Sequence, residues 1–477
     1  MDFVAHKLTV ENEKITRSAW FILGTLSCLG LIAMYAETMI LPAIPTLIEE
    51  FDMPYSTSSC ILSSYMIAGA VATPIAGKLS DVYGRKKVLL IVMSIYSAGI
   101  LAGGFADSLP FMIAARVAQG VGISMFPIAF GIIREVLPEK KLAVGQSIFT
   151  ATFPAGATLG LLMGANIIQN YGWHTTFFTV FPIAVLLGLF ILKFIHVGPL
   201  PHISENKISL DIKGSIFLAL TIISFLVGIS YLENNTGDIF ESIIFFALTI
   251  TSLMIFIVIE KKVQSPLIDM KLLKNKMLLF GMLILLIAGL CTFMVYQTIP
   301  IMIQSPQPLG FGGSELTTAT VQMPFMIIFL VGSILSGFAL EKIGNKRLTV
   351  IGTVVGTIGF FSLLMFHSTD YMVTVTLAVI AAGLSLAFIG GFNIVLLSTP
   401  IQFAGIALGM TLLFNLIGQS IGPSIAGMFQ QMHRGTVDGI SGSFPTPEAY
   451  TMIFVTAFTL SLVSVAFAIT LNRKVTA

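Results

Sequence analysis

The stretch GKLSDVYGRKK, residues 77–87, is a short basic loop between two long apolar blocks. The blocks on either side, residues 57–77 and 88–105, each match the length of helix that crosses the roughly 30 Å hydrocarbon core of a bilayer. Similar blocks recur along all 477 residues, of which 56% are hydrophobic and 10% charged. Soluble domains carry roughly 25% charged residues. The composition therefore predicts an all-α polytopic membrane protein and excludes a soluble one.

Fourteen blocks are predicted to span the membrane. Little polar sequence separates neighbouring blocks at Trp173 and near Thr399. Residues 1–17 are charged and have no apolar core, so they are not a signal peptide. The predicted spans are 18–46, 57–77, 88–105, 109–134, 142–168, 174–195, 213–232, 241–260, 278–303, 317–340, 348–367, 371–398, 403–430 and 450–471.

The charges sort to the two sides of these spans. If the N-terminus is cytoplasmic and the spans alternate, all 25 Lys and Arg residues except Arg116 and Arg434 fall in cytoplasmic segments. This excess is the positive-inside signature. It predicts a multi-pass protein of the cell membrane with both termini in the cytoplasm. The outer segments carry acids: Glu49, Glu50, Asp52, Asp107, Glu233, Asp238, Glu241, Glu315 and Asp370.

The loop at 77–87 has a second copy, GFALEKIGNKR at residues 337–347. Both read Gly-x-x-x-acid-x-x-Gly followed by basic residues, and both lie between two spans on the cytoplasmic side. Internal repeats of this kind are common in transporters. We therefore predict a cytoplasmic segment 1–17, a six-helix half 18–195, a linker with two extra spans 196–277, and a second six-helix half 278–477.

These motifs resemble the major facilitator superfamily, and within it the fourteen-span drug:proton antiporters. Residues 77–87 match the family's signature loop apart from Ser80 and Val82. RVAQGVG at 116–122 is similar to the family's proton-coupling motif, and ETMILPAIP at 37–45 to the first span of the fourteen-span branch. The resemblance implies two six-helix halves and a cytoplasmic gate. Its gate residues would be Gly77, Asp81, Gly84, Arg85, Lys86, Glu341, Gly344 and Arg347.

One motif departs from the family pattern. Antiporters of this superfamily usually carry Gly-Pro-x-x-Gly-Gly in the fifth span, where this chain reads GATLGL at 156–161. A better copy, GQSIGPSIAG at 418–427, lies in the thirteenth span. Proline inside a helix removes a backbone hydrogen bond and favours bending. We predict helix-interface hinges at Gly156, Gly160, Gly418, Gly422, Pro423 and Gly427.

Glu37 and Arg116 are the ionisable residues that we place deep in the membrane, where a charge is costly and by default marks function. Helix rise puts Glu37 roughly 15 Å and Arg116 roughly 11 Å below the outer surface. A carboxylate near one cation in apolar surroundings suits a proton carrier, and Gln119 can hydrogen-bond either group. The alternative interpretation is a static ion pair.

Polar side chains elsewhere in the spans are weaker candidates for a substrate cavity that Phe and Met residues would line. They are Tyr35, Gln146, Gln297, Gln322, Asn393, Asn415 and Gln419. We expect no cofactor and no metal site, because the six histidines and three cysteines are dispersed. No basic patch outlasts a short loop, so nucleic acid is not an expected partner.

The resemblance implies a proton-coupled exporter of amphipathic or cationic organic compounds, not an enzyme. Its expected partners are a small-molecule substrate, protons and the lipid bilayer, and we expect a monomer. Two alternatives stay open: a facilitator or proton symporter that imports a small metabolite, which the incomplete fifth-span motif does not exclude, and a membrane sensor or scaffold that transports nothing.

The charge pattern predicts which loops are extracellular. Single cysteines replacing Glu233 and Arg434 in a cysteine-free background should react with an impermeant maleimide on intact cells. Cysteines replacing Lys87 and Lys274 should react only after the membrane is opened. Labelling of position 274 from outside would contradict the fourteen-span topology.

Overall fold

The computed structural model describes residues 17–138, 142–195, 211–233, 239–263, 266, 268, 272–399 and 404–471. Within the predicted segments, residues 1–16 of the N-terminal segment and residues 196–210 of the linker lie outside these ranges. The described part is almost entirely helical, as the composition predicts.

A helix or a pair of helices occupies each of the fourteen predicted spans. The first span consists of α1 and α2 and the fourth of α5 and α6, each pair joined by a 3-10 turn (Leu41–Ala43 and Val121–Ser124). The helices are α1 Arg17–Thr38, α2 Ile44–Glu50, α3 Tyr55–Tyr83, α4 Arg85–Gly104, α5 Leu109–Gly120, α6 Met125–Val136, α7 Leu142–Tyr171, α8 Trp173–Phe194, α9 Ile212–Glu233, α10 Ile239–Glu260, α11 Lys276–Gln304, α12 Glu315–Ile343, α13 Asn345–Met365, α14 Asp370–Leu397, α15 Ala404–Met432 and α16 Pro447–Thr470.

Thirteen spans in the described ranges are long and apolar enough to cross a membrane. The remaining helix, α9, contributes a shorter described apolar stretch, Ile212–Phe225. Several helices run past the predicted span ends; α3, for example, continues beyond residue 77 to Tyr83. Hydropathy marks where a helix leaves the lipid, whereas its hydrogen bonds continue into the polar region.

Local sequence explains where the helices begin and break. The Ser314 hydroxyl accepts the Thr317 N–H and caps α12, and the Asn275 side chain caps α11 in the same way. Gly172, with φ +80°, separates α7 from α8 directly before Trp173. Only glycine adopts such a φ without strain, so this residue ends one span and begins the next.

The helices form two halves and a hairpin. In the first half α1 packs on α7 and α4 on α8, and in the second half α11 packs on α15 and α13 on α14. The halves meet along two seams, α3 against α15 and α7 against α12. Helices α9 and α10 pack on each other as a separate hairpin.

The two repeated loops share their geometry. Gly84 (φ +93°) and Gly344 (φ +78°) each separate two helices with a positive φ. Two residues later, Lys86 Nζ donates to the Leu192 carbonyl (2.7 Å), and Lys346 Nζ donates to the Leu471 carbonyl. Each lysine thus binds at the carboxyl end of the last helix in its half, where the helix dipole favours a cation.

The two ends of the bundle differ. We call the end that carries the Gly84 and Gly344 loops the basic end and the opposite end, near Glu49 and Glu315, the acidic end. At the acidic end the halves touch, because Gln304 Nε2 donates to the Pro42 carbonyl at 2.8 Å. At the basic end a Cβ added at Gly77 or Gly337 would meet nothing within 4 Å, so both positions face open space.

A β-hairpin that the sequence analysis did not predict lies at the acidic end. Strands β1 (Arg434–Val437) and β2 (Ile440–Pro445) pair antiparallel between α15 and α16. Its signal was available: Asp438-Gly439 flanked by Val437 and Ile440 is a typical tight-turn sequence. Gly439 has φ +80°.

Close helix approach predicts a stability effect at Gly156. A Cβ there would collide with the backbone of Leu31 on α1, so Gly156→Ala should destabilise the protein by about 1–3 kcal/mol. Thermal unfolding in detergent measures the change. Gly24→Ala is the matched control, because a Cβ at Gly24 meets nothing within 4 Å. An equal loss in both variants would contradict this account.

Candidate functional site

The burial pattern of α1 indicates a cleft that opens at the basic end and closes at the acidic end. On α1, Gly24 and Cys28 are exposed, and Leu31, Met34 and Glu37 are half-buried. At roughly 100° per residue the first three share one helix face, and Met34 and Glu37 are rotated progressively away from it. Residues 38–44 are all buried. Glu37 is therefore the last partly accessible position of α1 before this buried segment.

Helix α11 of the second half follows the same pattern. It has half-buried positions between residues 279 and 292, and residues 293–303 are all buried. The side chain of Tyr296 on α11 lies within electrostatic range of the Glu37 carboxylate on α1. Both halves thus close at about the level of Glu37.

Arg116 is fully buried and bound by neutral groups. Its Nε donates to the Ile61 carbonyl at 3.1 Å and its Nη1 to Gln119 Oε1 at 3.0 Å. The guanidinium lies over the Tyr65 ring, 4.8 Å from the ring centroid. Gln119 Nε2 in turn donates to the Gly99 carbonyl at 2.9 Å. These contacts connect α5 to α3 and α4.

Glu37 and Arg116 interact electrostatically but not by contact. Among the described residues no ion pair joins them, and Arg116 Nη2 has no hydrogen-bond partner. Apolar surroundings disfavour a charged carboxylate, and a nearby cation favours it. Because no direct bond fixes the Glu37 carboxylate, its charge can respond to water, substrate or movement of the helices.

Hydroxyl groups join the halves on the acidic side of Glu37. Ser63 Oγ on α3 donates to the Ser420 carbonyl on α15 at 2.6 Å, and the hydroxyls of Ser59 and Ser424 lie 3.3 Å apart. Ser58 Oγ accepts from Gln297 Nε2 on α11 at 2.7 Å. We call these six residues the serine latch; its members are Ser58, Ser59, Ser63, Gln297, Ser420 and Ser424. The sequence analysis missed its serines, because isolated serines in apolar helices carry no distinctive pattern.

The predicted gate residues lie at the basic end. Arg85 Nη1 lies 2.8 Å from Glu135 Oε1 and also donates to the Gly131 carbonyl, which connects the loop to α6. Arg347 is exposed. The side chains of Asp81 and Glu341 lie outside the described part of the structure. Glu135 is a partner that the motif alone did not reveal.

The predicted hinge glycines lie at close helix approaches. An added Cβ at Gly156 or Gly160 would collide with α1, and one at Gly418 or Gly422 with α11. The fifth and thirteenth spans therefore make equivalent contacts in the two halves. Gly427 faces Tyr55 and Ser56 of the other half, and α15 stays helical through Pro423.

The weaker cavity candidates have different surroundings. Tyr35 is buried, and its side chain lies near Thr179 on α8. Asn415 Nδ2 donates to the Leu285 carbonyl, which joins α15 to α11, and Asn415 Oδ1 accepts from Gln419 Nε2 on the same helix.

The other candidates divide by burial. Gln146 and Asn393 are half-buried, and Asn393 bonds only its own helix at Ile389. Gln322 is buried with no partner among the described residues, and Gln297 Oε1 is likewise unpartnered. Within the same ranges, no three His, Cys, Asp or Glu side chains form a group that could hold a metal ion.

Comparison with known proteins agrees with this architecture. The Major Facilitator Superfamily model matches residues 26–423, and the chain therefore belongs to this family. As a family member it is a multi-pass membrane transporter and not an enzyme.

Individual relatives are more distant. The chain is 27% identical to multidrug resistance protein 3 of Bacillus subtilis over 429 residues, 88% of this chain and 81% of that one. Among solved structures it resembles a D-xylose-proton symporter (TM-score 0.65, 13% identity, 95% and 98% of the two chains). It also resembles the E. coli xylose transporter XylE in a partially occluded inward-open conformation (TM-score 0.62, 14% identity, 94% and 97%).

The serine latch predicts a shift in conformation. Ser63→Ala removes one hydrogen bond between the halves, worth about 1 kcal/mol, and should lower the ratio of closed to open acidic ends about fivefold. Spin labels on cysteines replacing Asp107 and Asp370, one on each half, report this separation by pulsed electron resonance. Ser94→Ala is the control, because Ser94 bonds only its own helix at Leu90. Identical distance distributions in all three proteins would show that the latch does not hold the halves together.

Proposed function

We propose that this protein is a proton-coupled exporter of amphipathic or cationic organic compounds, of the fourteen-span drug:proton antiporter type. One observation carries the proposal: Glu37 is half-buried at the closed end of the cleft, within electrostatic range of Arg116 but not bonded to it. A carboxylate held in this way can exchange a proton during a conformational change.

The proposal assigns the basic end to the cytoplasm, following the positive-inside rule. The cleft is then open inward, as in the XylE structure described as inward open. In this state Glu37 releases a proton to the cytoplasm and becomes anionic. A cationic compound then binds near it, and the halves rock so that the serine latch opens and the basic end closes.

The second half holds a row of mostly buried aromatic rings that suits such compounds. The rings of Phe293, Tyr296, Phe325 and Phe329 follow one another with centroid separations of 5.3, 5.4 and 6.1 Å. Aromatic faces attract organic cations, and large apolar rings contact varied apolar shapes. The Glu37 carboxylate and these rings would together select compounds by positive charge and apolar surface area, not by one particular shape.

Import of a small metabolite is the second candidate. The D-xylose-proton symporter among the similar structures and the incomplete motif at 156–161 favour it. The named multidrug relatives favour export. The direction of gradient-driven movement of a lipophilic cation compared with a sugar or nucleoside separates the two.

The protein would act as a monomer in the cell membrane, with both termini in the cytoplasm and no cofactor. Its seventh and eighth spans would be α9 and α10, which completes fourteen.

Proton coupling makes a sharp prediction for Glu37. Glu37→Gln keeps the shape and hydrogen bonding of the side chain but cannot titrate, so gradient-driven accumulation in inverted vesicles should vanish. Downhill exchange of labelled substrate should survive, because it needs no proton. Substrate uptake with and without a dissipated pH gradient measures both.

Glu49→Gln is the matched control, because Glu49 is an exposed acid at the acidic end. Accumulation by the Glu37→Gln protein equal to that of the control would show that the proton uses another route. The Glu37–Arg116 interaction would then be structural.

A further inference from the structure

The hairpin of α9 and α10 behaves as one unit. The hydroxyls of Thr221 and Ser252 lie 3.0 Å apart, and those of Ser224 and Thr249 also lie 3.0 Å apart. Inside a bilayer such bonds face little competition from water. The two helices are therefore fastened along their shared face.

The hairpin's main packing partners lie at one seam between the halves. Helix α9 packs on α3 of the first half and on α15 of the second half. The other seam, α7 against α12, receives no comparable packing from the hairpin in the described ranges. The hairpin thus makes the two seams unequal.

The seam between α3 and α15 is bonded at the acidic end and faces open space at the basic end. Near the acidic end Ser63 bonds the Ser420 carbonyl, and Gly427 faces the backbone of Tyr55 and Ser56. Near the basic end a Cβ at Gly77 or Gly409 would meet nothing within 4 Å. Open space beside both helices would connect the cleft with the bilayer at this end if nothing covered the seam.

The surface of α9 shows which face covers this opening. Leu218 and Ile222 are 4% and 5% exposed. On a helix of 3.6 residues per turn they are rotated by roughly 60–100° from the hydroxyl face at Thr221. Ile216 and Ile223, at 57% and 48% exposed, lie on the opposite side. The buried face of α9 that α10 does not cover is therefore directed at α3 and α15.

The other seam is more exposed. Half of the apolar stretch of α3 and 56% of that of α15 are buried, compared with 39% for α7 and 17% for α12. Large apolar side chains on the basic half of α12 are exposed, among them Val331, Leu335 and Phe338. A surface of this kind on a membrane helix is a lipid-facing surface.

We propose that the α9–α10 hairpin is a seal, which closes the side opening between α3 and α15 to lipid. It leaves the α7–α12 seam as the side where the cleft borders the bilayer in this conformation. The inference goes beyond the proposed function, because it holds whatever the substrate, the direction of transport or the coupling ion.

Lipid accessibility along the two seams tests the seal. Nitroxides are placed one at a time at residues 68–75 of α3 and 328–335 of α12, in the full-length cysteine-free protein in liposomes. Collision with oxygen, which concentrates in lipid, is compared with collision with a water-soluble nickel chelate. We expect oxygen maxima every three to four residues on α12 and none on α3. Maxima on α3 as high as those on α12 would overturn the proposal.

Matched variants test whether the hairpin causes the difference. Leu218→Ala with Ile222→Ala trims the buried face of α9, and Ile216→Ala with Ile223→Ala trims the exposed face. The first pair should raise oxygen accessibility on α3 toward the values on α12, whereas the second should change neither scan. An unchanged α12 scan verifies folding in both.

If the buried-face pair folds and leaves α3 inaccessible, the seal does not depend on the hairpin and the proposal fails. If that pair does not fold, the scan of the protein with its intact hairpin still decides whether the α3–α15 seam is closed to lipid. Neither measurement depends on transport, so loss of the proposed export function would not alter either result.

Discussion

The first half buries a positive charge, and burying a charge in apolar surroundings costs free energy. Arg116 has no exposed surface, and its guanidinium is held by a backbone carbonyl, an amide and an aromatic ring instead of by a carboxylate in contact. Leaving a charge in apolar surroundings without such partners costs several kcal/mol. The requirement draws α3, α4 and α5 together around one side chain. Because these neutral groups bind the Arg116 guanidinium, Glu37 on α1 stays unbonded and able to change its charge.

The two halves repeat one plan but apply it to different chemistry. Both use a glycine of positive φ followed by a lysine that binds the end of the half's last helix. Both also pack their fifth span on their first span through paired glycines, α7 on α1 and α15 on α11. The buried charge belongs to the first half alone within the described residues. At the matching depth the second half presents amides and aromatic rings, such as Gln297 and Phe325. The two halves thus share a scaffold and differ in the side chains that line the cavity.

Much of this architecture was predictable from the sequence, for identifiable reasons. Apolar blocks of membrane length give the helices, and repeated glycine-acid-glycine loops give the two halves. Local patterns cannot report contacts between residues far apart in the chain. Only the structure therefore shows the serine latch, the Arg85–Glu135 pair and the proximity of Tyr35 to Thr179. The Glu37–Arg116 relationship was predicted at the level of depth. Contact between the two side chains was not predictable, because hydropathy does not reveal the neutral partners of Arg116.

The inserted hairpin also has a consequence for how such a chain can change over generations. A pair of helices leaves the membrane on the side where it entered, so α11 starts at the same end of the bundle as it would without the insertion. A single added helix would invert the second half and place the Gly344 loop on the wrong side. Additions to a duplicated membrane protein are therefore tolerated in even numbers. The junction between halves is the place that accepts them, because there the insertion interrupts neither set of internal contacts.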